Sequence, residues 1–187
     1  MRHGFKSEAE RRAAAARTML GLSPVAVLDA WTYAKHRGVR VFDFYALGLP
    51  ALAARQLTTT DPDSWSAMTL QEGDAHVIVL NPSHAITRLR ADLMHELAHI
   101  DLGHAPARVE VADSGLLLIS DYSDDQEQEA DWLGGALLLP RQALVRMHAQ
   151  RRSVEQIASF FGVSTALCEW RLRMTGVDFQ VGRTHRR

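Results

Sequence analysis

The chain has 187 residues, 47% of them apolar and 23% charged, ordinary values for a soluble protein of one domain, or of one compact domain with a small appendage. Cys168 is the only cysteine, which excludes an internal disulfide; no apolar run approaches the roughly 18–20 residues that span a bilayer, and the opening Met1-Arg-His-Gly-Phe-Lys-Ser-Glu lacks a signal peptide's apolar core, so the expected compartment is the cytoplasm. The net charge of −1 conceals an asymmetry: residues 1–91 carry +3, residues 92–131 carry −10, and residues 141–187 carry +6.

In chain order, Ser7 followed by Glu10 reads as a capping box opening an alanine-rich helix to about Leu20, closed by Gly21. Ser23-Pro24 is expected to start a second helix, with Val25, Leu28, Trp31 and Ala34 at helical spacing, ending near Gly38. Val39–Phe44 alternates as a strand, and residues 46–63 read as irregular structure around a short helix. Trp65–Leu70 and His76–Leu80, separated by a turn at Gln71–Asp74, form a β-hairpin that closes at Asn81-Pro82. A long helix follows from about Ile86 to Leu102, stopped by Gly103. Residues 104–122 read as a loop with one apolar run, Leu116–Ile119. Ser123 caps a helix to about Leu139, with acids in its first turns, and Arg141–Ala149, Ser153–Phe161 and Ser164–Thr175 complete the chain as short helices. Several helices with one small antiparallel sheet make an α+β fold.

His95-Glu96-Leu97-Ala98-His99 is an H-E-x-x-H pattern, which nine His and nine Glu in a chain this long produce by chance roughly once in fifty sequences. Residues four apart share a helix face, so the imidazoles of His95 and His99 can converge on one ion. Glu96, about 100° round the helix, can reach a water on that ion without binding it. A catalytic zinc site needs a third protein ligand and an open position. His104 does not supply it in the manner of the longer three-histidine motif, because the required Gly and His positions hold Leu102 and Ala105. A glutamate from a second helix can: Glu127-Gln-Glu-Ala-Asp131 offers Glu127 as ligand and Asp131 as acceptor for the N–H of a ligating histidine. Glu129 is the rival ligand on another face, and periodicity does not choose between them. Asp124 and Asp125 read as a solvated helix start. In such a site Zn²⁺ activates water, Glu96 takes and returns the proton, and Tyr122, His104 or His76 donates to the oxyanion.

These motifs, with Gly4-Phe-Lys-Ser-Glu-Ala-Glu, Leu20-Gly-Leu-Ser-Pro, Trp65-Ser-Ala-Met-Thr, His76-Val-Ile-Val-Leu-Asn, Leu102-Gly-His104 and Glu127 through Pro140, occur in an order that resembles the ImmA/IrrE family of metallopeptidases. The resemblance implies a mostly helical zincin-like core of the gluzincin type over residues 1–140. It implies zinc held by His95, His99 and Glu127; the residues themselves offer Glu96 and Tyr122 as catalytic groups and Asp131 and His104 behind the ligands. It also implies an endopeptidase that cleaves a helix-turn-helix repressor, switching on genes of mobile elements, DNA-damage response or phage defence. Asp101 departs from the pattern, placing a charge where many relatives have an apolar residue. No sensory domain is expected after the tail, so a sensor would be another molecule.

Residues 141–187 read as a helical subdomain packed on the core, with Ser153–Leu172 resembling a helix-turn-helix about Gly162. Its +6 charge invites weak nucleic-acid or repressor contact. The would-be recognition helix, however, begins Thr165-Ala-Leu-Cys-Glu-Trp, with few side chains suited to base edges, and Leu167, Trp170 and Leu172 suit packing. Cys168 reads as a small buried hydrophobe. Two other functions fit the same residues: a DNA-binding regulator with a structural zinc, and a pseudo-protease that holds a repressor without cutting it.

Overall fold

Helical spacing and strand alternation resolve into eight α-helices and five strands among the described residues of the computed structural model, which are 1–48, 51–72, 75–104, 108–111, 117–120 and 122–177. The helices are α1 (Phe5–Met19), α2 (Ala30–His36), α3 (Ala51–Arg55), α4 (Ile86–Leu102), α5 (Asp124–Leu138), α6 (Arg141–Ala149), α7 (Val154–Phe161) and α8 (Thr165–Thr175). The strands are β1 (Arg40–Asp43), β2 (Ala67–Glu72), β3 (Ala75–Leu80), β4 (Arg108–Val111) and β5 (Leu117–Ser120). They form one sheet in the order β1-β3-β2-β5-β4, antiparallel throughout except for β1 beside β3. The architecture is α+β, as expected, and mostly helical.

Alternation along β3 sorts the core into two layers. Ile78 and Leu80 join the large cluster made with α1, α2, α4, α5 and the last three helices. Val77 and Val79 face the other way, against Phe44, Leu70, Leu57 and Trp65. The irregular segment over that second layer is pinned by Asn81, fully buried, whose amide donates to the carbonyls of Pro62 (2.8 Å) and Trp65 (3.1 Å). Its own oxygen accepts from the Ser83 amide at 3.1 Å and hydroxyl at 2.7 Å.

Three expectations are corrected. Ser7 lies inside α1 and caps nothing, because the helix starts at buried Phe5 after Gly4 in the left-handed region, φ 78°. Glu10 instead receives the Arg141 amide (3.0 Å) and the Arg171 guanidinium (2.5 Å). Ser23-Pro24 opens a turn, Ala26 N–H donating to the Ser23 carbonyl, and α2 starts only at Ala30, capped by Asp29 accepting from the Thr32 amide at 2.8 Å. Residues 104–122 are not simply a loop: β4 and β5 pair there and extend the sheet from β2. Their signal in sequence is short, and a strand joined to a sheet is stabilised by partners distant in the chain.

The C-terminal end of α5 explains how the last helices attach. A helix leaves its final carbonyls without partners, and here two buried arginines meet them. Arg17 donates to the Leu137 carbonyl at 2.7 Å, and Arg171 to the Leu139 carbonyl at 3.0 Å. Arg171 is wholly buried, packed against the rings of Trp132 and Trp170. Cys168 and Leu172 are buried with it, so this face of α8 is committed to packing. Ser153 and Ser164 cap α7 and α8, and Gly162 closes α7 at φ 63° with its carbonyl held by Arg90 of α4.

Candidate metal centre

The site is built where α4 and α5 lie against each other. Both helices carry apolar stripes, Leu93, Met94, Leu97 and Ala98 on α4 and Ala130, Leu133 and Leu137 on α5, all fully buried. Gly134 permits their close approach: a Cβ there would stand 3.3 Å from the Met94 carbonyl oxygen and 3.4 Å from the His95 nitrogen. Burying these stripes turns His95, Glu96 and His99 of α4 and Glu127 and Asp131 of α5 toward common ground.

His95 Nε2 and His99 Nε2 are 3.0 Å apart. Glu127 brings Oε2 to 3.1 Å from His95 Nε2 and Oε1 to 3.7 Å from His99 Nε2. The three residues' donor atoms all lie within 4.8 Å of one another, the one such grouping among the described residues. Two imidazole nitrogens and a carboxylate converging this way form a donor set that suits Zn²⁺. The second nitrogen of each ring is also engaged. His95 Nδ1 lies 3.0 Å from Asp131 Oδ1, and His99 Nδ1 lies 3.0 Å from His104 Nδ1. Such contacts fix ring orientation and tautomer.

Glu129 faces away from this cluster. It is buried, accepts from the Arg2 amide at 2.8 Å and the Arg2 Nε at 3.0 Å, and stands 3.6 Å from His104 Nε2. Two residues along a helix is about 200° of rotation, so Glu127 meets α4 while Glu129 meets the segment before α1.

Glu96 points to the sheet, where Thr69 of β2 donates its hydroxyl to Oε2 at 2.5 Å. Thr69 pairs with Ile78, whose side chain belongs to the helix-side layer, so the pleat aims Thr69 at α4. Tyr122 stacks its ring on His99, centroids 3.7 Å apart. His76 lies on β3 opposite Gln71 and is not drawn into the cluster. Asp124 and Asp125 are exposed; Asp124 fits a solvated helix start, whereas Asp125 pairs with the Met1 amino group.

The charges follow from this packing. Burial disfavours a charge on His95, but hydrogen bonds to Asp131 and Glu127 and the nearby Glu96 prevail and lift its pKa to about 10. Burial, reinforced by His95, pushes His99 down to about 3. The His95 contact lowers Glu127, burial being the opposing influence. Burial raises Glu96 against the bond from Thr69, and burial with Glu96 and Glu127 raises Tyr122. Asp101, the departure noted in the sequence, accepts from the Tyr33 hydroxyl at 2.5 Å and pairs with Arg37 at 2.7 Å. It ties α2 to α4 and takes no part in the cluster.

Sequence reasoning missed Thr69 and Arg2. A polar residue on the buried face of a strand was the only signal for Thr69, and nothing local announces Arg2. A family model described as the IrrE N-terminal-like domain, a peptidase family, matches residues 35–173, which includes both helices of the site. No curated protein and no solved structure matches the chain. Among the described residues, no helix is long and apolar enough to cross a membrane.

Proposed function

The chain belongs to the IrrE N-terminal-like metallopeptidase family, and from that premise we propose that it is a zinc endopeptidase that cuts a specific protein, a helix-turn-helix transcriptional repressor. The observation that carries this reading is the convergence of His95, His99 and Glu127 with Glu96 turned aside from them yet held by Thr69. A structural site has no need of that extra carboxylate.

His95, His99 and Glu127 would hold the ion. When bound, zinc supplies Lewis acidity, polarising a carbonyl and bringing the pKa of water to about 7. Glu96 takes the proton of the attacking water on its carboxylate and returns it to the leaving amide nitrogen. Burial suits Glu96 to that exchange, because a raised pKa makes the acid form easier to reach. Asp131 and His104 hold the two imidazoles in register. Tyr122, stacked on His99, offers a hydroxyl to the developing oxyanion.

The repressor is the partner that the family resemblance implies, and cleaving it relieves repression of stress, mobile-element or phage-defence genes in the cytoplasm. Co-expression of the chain with the repressor encoded at its own locus, followed by intact-mass spectrometry, tests this. The wild type is expected to yield two fragments from one bond, and Glu96→Gln none. Intact repressor in both, with and without single-stranded DNA, would contradict the proposal, and a stable uncut complex would favour the pseudo-protease. Zinc content is expected at about one per chain and lost in His95→Ala.

A further inference from the structure

A cleft of about 390 Å³ lies between α6, α7 and the turn after α1, away from the metal centre. Glu127 sits in the first turn of α5, while α6 begins just beyond that helix's other end; at 1.5 Å per residue the two are separated by about 16 Å along α5. Val25, Ala143 and Met147 give the cleft apolar walls, and Phe160 borders it. Phe160 is 54% exposed, although α7 buries Ile157, Ala158 and Phe161 on its core face. A large ring standing in water beside an apolar cleft is characteristic of recognition surfaces. Arg146 and Arg152 flank the same cleft, both exposed, and none of its lining residues is acidic.

The two features together specify the occupant. Paired arginines alone would suit phosphate, but a phosphodiester backbone gains nothing from Val25, Met147 and Phe160. An amphipathic helix laid in a groove uses both: apolar anchors fill the cleft and carboxylates meet the rim. We propose that this cleft docks an acidic amphipathic segment of a partner protein, with a large apolar side chain against Phe160 and Met147 and Asp or Glu side chains on Arg146 and Arg152. The site does not depend on hydrolysis at the metal centre.

Panning the full chain against a displayed random library of peptides of about 15 residues, some four helical turns, tests it. The peptides recovered are expected to be net negative, with Leu, Met or Phe spaced i, i+3 or i+4, and i+7. By fluorescence anisotropy, Arg146→Glu with Arg152→Glu weakens a synthesised winner at least about tenfold. Phe160→Ala does so independently, and Glu96→Gln leaves binding unchanged. A winner with its acids changed to Lys regains affinity for the double variant, an outcome that misfolding would not produce. The proposal is overturned if no peptide is recovered, if winners are net positive, or if affinity ignores these substitutions. Tighter binding of a random-sequence DNA duplex than of any peptide, lost in the same variants, would overturn it in favour of nucleic acid.

Discussion

Glu127 and Glu129 have one residue between them, yet they serve different neighbours, and that difference makes the ligand assignment testable. Glu127 meets both imidazoles, whereas Glu129 is held by Arg2 and touches His104, which in turn touches His99. Glu127→Gln is expected to abolish stable zinc retention. Glu129→Gln, one contact further from the ion than His104, should keep the metal and lower its affinity by less than the about 10–100-fold usual for a group in contact with a ligand. Metal analysis after dialysis and a chelator competition distinguish the two, and equal losses would reject the assignment. Tyr122→Phe, which preserves the stack on His99, should leave zinc in place and slow cleavage about a hundredfold if the hydroxyl serves the oxyanion. Sequence spacing made His95, Glu96 and His99 readable because they share one helix. The choice at Glu127 was beyond it, since the face of α5 that α4 takes depends on packing across two elements.

At the scale of elements, adjacent glycines of α5 separate function from stability. Gly134 faces the α4 backbone, while a Cβ on Gly135 would stand 2.8 Å from Trp170 Cζ3 and 2.9 Å from Arg171 Cδ. Alanine in a helix gains about 0.5–1 kcal/mol over glycine. In Gly134→Ala that gain is offset by displacement of α4, so stability should change little while zinc affinity falls. In Gly135→Ala two packed side chains must move, and overpacking of this kind costs about 1–3 kcal/mol, read as a lower denaturation midpoint. Comparable zinc affinity in both variants would show that Gly134 does not set the α4–α5 spacing. Long helices with clear stops were legible: α4 and α5 end where Gly103 and Pro140 indicate, and Ser123 forms its capping box with Gln126. The start of α2 and the β4–β5 pair were not. Ser23-Pro24 is a helix-start pattern that a local turn uses instead, and β4 and β5 find their place only on a sheet assembled from distant residues.

Across the whole molecule, the charge asymmetry has specific addresses. In the acidic stretch, Glu127 and Asp131 meet the imidazoles of the candidate metal centre, Glu96 accepts from Thr69, Asp101 holds Tyr33 and Arg37, and Glu129 holds Arg2. In the basic tail, Arg171 belongs to the core, so the local +6 overstates what is available to a partner. Arg171→Met removes the contacts to Glu10 and the Leu139 carbonyl and should cost about 3 kcal/mol. Arg152→Ala, at an exposed position, should stay within about 0.5 kcal/mol of wild type. Urea unfolding of both checks this, and a small loss for Arg171→Met would mean that the buried guanidinium does not hold α8 to the core.

The central claim is that His95, His99 and Glu127 form a hydrolytic centre with Glu96 as its base, and the most direct test is cleavage by zinc-reconstituted protein. Wild type and Glu96→Gln, each loaded to equal zinc content, are incubated with the purified repressor from the same locus and followed by intact mass. The account predicts one cut by wild type and a loss of at least about a hundredfold in Glu96→Gln at unchanged zinc occupancy. Equal cleavage by both proteins, or none by zinc-loaded wild type, would contradict it.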